Sequence, residues 1–199
     1  MVKRKVQKRI SNWYNRVAPA VLIILLVLLF NIFGLHTVDA RVPPKRLNKR
    51  KELVMLKALQ HLKHKHPNAD HVELLAMAGW ESEFSPKAKS KGNYGLVQIN
   101  CTVWKKSLGL NSCAELQDMN TNIDAALIVL GRFRKKYRDC RGDYAYACYN
   151  KGQRWRVNRQ KCLKRTSMRG ACDGPLRYIT GVKGYERMLL RNYRSLLVR

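Results

Sequence analysis

The feature that most constrains this chain is a 19-residue apolar run, Val17 to Leu35, interrupted only by Pro19, Asn31 and Gly34. At about 1.5 Å of rise per residue, a helix of that length reaches across a bilayer core of about 30 Å. Residues 1–16 ahead of it carry Lys3, Arg4, Lys5, Lys8, Arg9 and Arg16 and no acid. A basic flank before an apolar span predicts an amino terminus held inside and a remainder carried across. The loop that follows is also basic (Arg41, Lys45, Arg46), which weakens the charge argument. Two fates stay open. The length of the run favours a retained signal-anchor, whereas Val38-Asp39-Ala40 offers small or aliphatic residues where a signal peptidase cuts. Both place residues 41–199 outside the cytoplasm, anchored to the inner membrane and facing the periplasm or exterior, or secreted after cleavage near Ala40.

Cysteine usage agrees with export. Cys101, Cys113, Cys140, Cys148, Cys162 and Cys172 all follow the apolar run, an even number suited to disulfides in an oxidising compartment. Six cysteines allow 15 pairings. Short loops suggest Cys101–Cys113 and Cys162–Cys172, which leaves Cys140–Cys148, and the pairing stays open. Zinc would want C-x-x-C spacing, which is missing.

Charge then narrows the partner. The chain has 40 Lys+Arg against 13 Asp+Glu, net +27, yet 46% of its residues are hydrophobic, too many for a disordered basic tail. After Ala40, 34 bases still face 12 acids. An anionic partner follows: nucleic acid, an acidic membrane or an anionic wall polymer.

The expected fold is mainly α with a small β element. A basic linker (36–51) leads into a domain over 52–199. Leu53, Leu56, Leu59 and Leu62 recur near helical spacing up to His66-Pro67. A second helix starts at Asn68 or Asp70, where Asp70 and Glu73 resemble a capping box, and ends near Glu81–Glu83 before Ser85-Pro86. Residues 85–101 read as a loop or a short hairpin around Tyr94 to Ile99. A helix runs from Thr121 to about Arg138, and a shorter one covers Tyr144–Tyr149. The stretch 151–183 reads as irregular, and a final amphipathic helix uses Tyr185, Met188, Leu189, Asn192, Tyr193 and Leu196.

Chemistry concentrates at Trp80-Glu81-Ser82-Glu83-Phe84, where a carboxylate ends an apolar helix between two aromatics. Apolar neighbours disfavour the ionised form, as a general acid at neutral pH requires. The segment from Glu81 to Ser90, followed by Asn93-Tyr-Gly-Leu-Val-Gln98-Ile-Asn100, resembles the lytic transglycosylase family of goose-lysozyme-like (SLT-type) fold. The family signature is E-S-x-F-x-P-x-A and then G-L-x-Q-I. Tyr before Gly-Leu and Asn after Gln-Ile are most similar to small exported enzymes of conjugation, type IV secretion and phage particles. Asn122-Ile123 with Ala125 and Ala126, and Tyr149-Asn150-Lys151-Gly152, similar to Y-N-A-G, follow in order. The resemblance covers residues 68–153.

That resemblance implies a lysozyme-like α+β domain that cleaves between N-acetylmuramic acid and N-acetylglucosamine in peptidoglycan. Glu81 would be the single acid/base. Ser82 would orient substrate, Gly95 and Leu96 would shape the floor, and Gln98 and Asn100 would line the cleft. Tyr149 and Asn150 would face Glu81 and hold the N-acetyl group. Two departures stand out. Lys151 replaces a small residue, and the segment Ser90 to Gly95 is short for the family. Glu83 could serve as a second carboxylate, but on a continuing helix it points about 200° from Glu81.

Other residues carry less. His61, His64, His66 and His71 lie among lysines near a helix end, so no metal or cofactor is expected from them. Trp104, Tyr146 and Trp155 could stack on sugar rings, but aromatics at such positions are more often core. The basic run Arg154–Arg169 suits either an acidic polymer or solvent. The expected protein is a peptidoglycan lytic transglycosylase that opens the wall locally for a secretion, conjugation or virion assembly. A lysozyme-type hydrolase of the same fold is one alternative. The other is an inactive basic binding protein at the membrane; nucleic acid is not the expected partner.

Overall fold

A computed structural model describes residues 42–151 and 169–198, with side chains excepted at 139, 151 and 169–173. The expectations for residues 1–41, for Trp155, for the basic run Arg154–Arg169, for the Cys162–Cys172 pairing and for the side chain of Lys151 lie outside that description. Among the described residues, no helix is long and apolar enough to cross a membrane.

Six helices and one small sheet make up the described part. Helices α1 (Lys49–Lys65) and α2 (His71–Ser82) are followed by two-residue strands β1 (Lys89–Ser90), β2 (Asn93–Tyr94) and β3 (Ile99–Asn100). Then come α3 (Cys101–Leu108), a 3-10 turn (Cys113–Gln117), α4 (Met119–Lys136), a second 3-10 turn (Arg138–Cys140), α5 (Tyr144–Lys151) and α6 (Arg169–Leu197). The chain is mainly helical, with a small antiparallel sheet of order β1-β2-β3.

Local chemistry explains most boundaries. Asn48 caps α1 by accepting from Lys51 N, and Asp70 caps α2 by accepting from Glu73 N at 2.9 Å. The expected capping box is only half made, because the Glu73 carboxylate crosses to Arg134 on α4. Burial raises the Glu73 pKa, and the Arg134 guanidinium partly offsets that rise. In α1 the buried face is Met55, Ala58, Leu59 and Leu62, while Leu53 and Leu56 face outward. A spacing of three drifts around a 3.6-residue helix, so the leucines could not all share one face. The short segment between β1 and β2 is a two-residue hairpin turn: Lys91 and Gly92 both take left-handed backbone, and Ser90 pairs with Asn93.

Two expectations need correction. Residues 169–183 are not irregular but form the first half of α6, which contains Pro175 and departs from helical backbone only at Tyr193. Leu196 is exposed, and Leu197 takes its place in the core. Disulfides join Cys101 to Cys113 and Cys140 to Cys148. Each closes a short loop, and each has one cysteine next in sequence to a cleft residue, Asn100 or Tyr149.

The core gathers α2, α4, α5 and α6. Two glycines let α2 and α6 meet closely. A Cβ on Gly79 would fall within 3.0 Å of three atoms of the Tyr185 ring, and one on Gly181 would meet Trp80 equally closely. Each helix thus seats an aromatic ring of the other in a notch where a side chain is missing.

Candidate active site

The backbone from Tyr94 to Gln98 makes one wall of the site, and side chains from three helices hold it. Asn122 of α4 is fully buried and uses its whole amide. Its Oδ1 accepts from Val97 N at 2.8 Å, and its Nδ2 donates to Tyr94 O and Leu116 O, both at 2.9 Å. Tyr149 of α5 donates its hydroxyl to Val97 O at 2.7 Å, and Ser82 of α2 donates to Leu96 O at 2.7 Å. Gln98 Nε2 donates to Gly95 O at 2.9 Å. Gly95 has φ +79, and a Cβ there would lie within 3.0 Å of Leu116 O and of the Asn122 amide, so the position admits only glycine. Gln98 itself takes φ +50, a strained choice for a non-glycine residue of order 1–3 kcal/mol.

The opposite wall is the end of α2. Glu83 (φ 52) and Phe84 (φ 63) are both left-handed; their N–H groups return to Gly79 O and Ala78 O. This turn ends the helix just after Ser82 and sends Phe84 into the core, edge-on to Tyr185 at 6.4 Å. Glu81 stands on the last turn and borders two cavities. The larger, about 640 Å³, is lined by Glu81, Ser82, Glu83, Lys51, Lys89 and Gln98 among others. The smaller, about 190 Å³, includes Glu81, Asn93, Gln98, Asn100, Tyr149 and Asn150. Glu81 and Gln98 belong to both, so the two form one groove divided between them.

Sequence expectations therefore separate into two groups. Glu81, Ser82, Gln98, Asn100, Tyr149 and Asn150 converge on the groove. Gly95 and Leu96 are buried beneath it, and Leu96, only 1% exposed, supports the floor without forming its surface. Ser82 is committed to Leu96 O and accepts from Ser85 N at 3.1 Å, which makes it a brace between the two walls. Glu83 ion-pairs with Lys51 in the larger cavity. Because α2 has already ended, helical spacing no longer separates Glu83 from Glu81. Trp104 lines the smaller cavity and packs edge-on against Phe133 at 5.7 Å; Tyr146 is buried in the core.

Two residues escaped the sequence reading. Asn122 was matched only as a helix opener, and Tyr178 of α6 lay in the stretch read as irregular. Among the described residues, the buried Tyr178 phenol has no partner at full hydrogen-bond geometry, and Glu81 is the carboxylate near it. Burial raises the Tyr149 and Tyr178 phenols well above their ordinary range, and the nearby Glu81 charge adds to it. Both rings therefore remain protonated through the physiological range. The smaller cavity thus sets the Glu81 carboxylate beside the neutral Tyr149 phenol and the amides of Asn93, Gln98, Asn100 and Asn150, with the buried Tyr178 phenol near Glu81.

The family model described as Transglycosylase SLT domain matches residues 60–168. No curated protein and no solved structure matches the chain.

Proposed function

Because the chain belongs to the transglycosylase SLT domain family, we propose that it cleaves the bond between N-acetylmuramic acid and N-acetylglucosamine and releases a 1,6-anhydro product. Lytic transglycosylase-type action on peptidoglycan comes with the family. The observation that supports the finer reading is the position of Glu81, the one carboxylate that borders both cavities, with Asn93, Gln98, Asn100, Tyr149 and Asn150 around it in the smaller one.

In the proposed course, Glu81 gives its proton to the glycosidic oxygen as that bond breaks. The substrate's own acetamide oxygen attacks the anomeric carbon, which removes the need for a second protein carboxylate. Glu81, now ionised, takes the proton from the muramyl 6-hydroxyl. That oxygen closes onto the anomeric carbon and the acetamide is released. Asn150 and the amide wall hold the N-acetyl group. Tyr149 keeps Val97 in place, so its role passes through the turn. The basic surface meets the stem-peptide carboxylates of the wall, and residues 1–40 deliver the domain across a membrane. Local wall opening for a secretion, conjugation or virion assembly is the role in which such an enzyme serves.

Glu83 supports a second reading, a lysozyme-type hydrolase, since it shares the larger cavity with Glu81. Digesting purified sacculi and weighing the muropeptides separates the two: anhydro products are lighter by one water than hydrolysis products. Glu81→Gln should abolish release by at least a thousandfold, in the range of losing a general acid and more, with an unchanged circular dichroism spectrum. Retained activity would sink the assignment. Glu83→Gln should leave the anhydro mass unchanged.

A further inference from the structure

Outside the groove, the end of α1 and the second turn of α4 bring three ligand-type side chains together. His61 Nε2 and His66 Nε2 lie 2.8 and 2.7 Å from the same oxygen of Asp124, and the three atoms all fall within 4.8 Å of one another. His66 reaches this point because it is the C-cap of α1, with φ −133 and ψ 58, so its side chain leaves the helical path. His71 fixes that cap by bonding through Nε2 to His66 O at 3.0 Å. The two imidazoles are set edge to face, 5.9 Å apart. All three side chains are partly buried, with 14%, 28% and 23% exposure for His61, His66 and Asp124. The Lys65 ammonium sits on the other Asp124 oxygen.

We propose that His61, His66 and Asp124 bind one divalent transition-metal ion of the zinc class, which ties α1 to α4. Two imidazoles that aim the same nitrogen at one carboxylate oxygen are redundant as an ion-pair network, since Lys65 already neutralises the acid. As a ligand set they are economical. Bonds of about 2.0–2.2 Å at tetrahedral angles put neighbouring ligands roughly 3.3 Å apart, inside the spread these atoms already occupy. Imidazole nitrogen selects zinc, cobalt, nickel or copper over calcium and magnesium, which want oxygen. Lys65 is 56% exposed, so its ammonium moves to water as the cation arrives. The remaining coordination position takes water.

The test is titration of the chelator-stripped full chain with Zn²⁺ by calorimetry, and with Co²⁺ by visible absorption. The expected result is one ion per chain with tetrahedral cobalt bands and a melting temperature raised by zinc. His61→Ala and His66→Gln should each weaken binding by tenfold or more, while His64→Gln, at an exposed site on the same helix, should not. In the presence of EDTA both site variants should melt close to the parent, which shows that they fold. Failure of the parent to bind either ion would overturn the proposal. So would equal binding by the variants, or a zinc-independent loss of stability in both, which would leave only an ion-pair brace.

Discussion

The two walls of the groove are held by opposite physics. The Tyr94–Gln98 turn buries Leu96 and Val97 in the core, but directed bonds from Asn122, Tyr149, Ser82 and Gln98 fix its backbone. The α2–α6 seam makes little use of such bonds; rings of Tyr185 and Trp80 fill the notches at Gly79 and Gly181. Losing a single donor or acceptor breaks the first wall. Gaining a single methyl breaks the second. The comparison also explains why Glu81 sits between them: its helix is fixed by the seam, and the groove it borders is fixed by the turn.

Substitutions can test that contrast directly. The largest effect is expected from Asn122→Leu, which strands Val97 N–H and the carbonyls of Tyr94 and Leu116. At about 1–3 kcal/mol for each buried group left unmade, the loss should exceed ~3 kcal/mol in urea unfolding. A loss below 1 kcal/mol would mean that the turn holds itself. Next comes Gly181→Ala, which presses a methyl into Trp80 and should cost roughly 2–3 kcal/mol by overpacking. Pairing it with Trp80→Leu should recover part of the loss, a coupling that a double-mutant cycle reads out. Additive behaviour would deny the notch. Tyr149→Phe removes one bond to Val97 O and should cost about 1 kcal/mol, with sacculus cleavage falling further than stability.

The smallest effect belongs to the cap of α4, the helix that carries Asn122. Asp118 accepts from Thr121 N at 2.8 Å, and that bond holds its pKa below the ordinary 3.8. Asp118→Ala should cost about 1 kcal/mol at neutral pH. A depressed carboxylate contributes stability above its unfolded pKa and loses it as pH falls through the folded one. The gap between parent and variant should therefore close below about pH 3.8. A gap that persists unchanged into stronger acid would show that the charge of Asp118 plays no part.

Much of this architecture was legible in the chain. Glu81 on a helix end, the Asp70 cap, the hairpin near Tyr94 and the α4 helix all follow from spacing and side-chain chemistry. What escaped has physical causes. Gly174, Pro175, Gly181 and Gly184 look like helix breakers, so the first half of α6 read as irregular. Yet two of those glycines are needed because Trp80 and Pro43 press against them. The pattern Tyr178, Val182, Tyr185, Leu189 carried a helical period that their presence obscured. Asn122 gave no sign of its role, because its partners are backbone atoms up to 28 residues away. Helix α3 also went unread, though Asn100 caps it by accepting from Val103 N at 3.1 Å.

Tyr178 has one more consequence. It lies beyond residue 168, where the family match ends, as do Gly181 and Tyr185. The unit recognisable by kinship is therefore smaller than the unit that folds. A fragment trimmed to the matched span would bare Trp80 and the Gly79 face of α2 to water and strip a phenol from beside Glu81. Anyone shortening this protein for expression should cut after Leu197, because the last helix packs against the helix that carries Glu81 even where family resemblance has stopped.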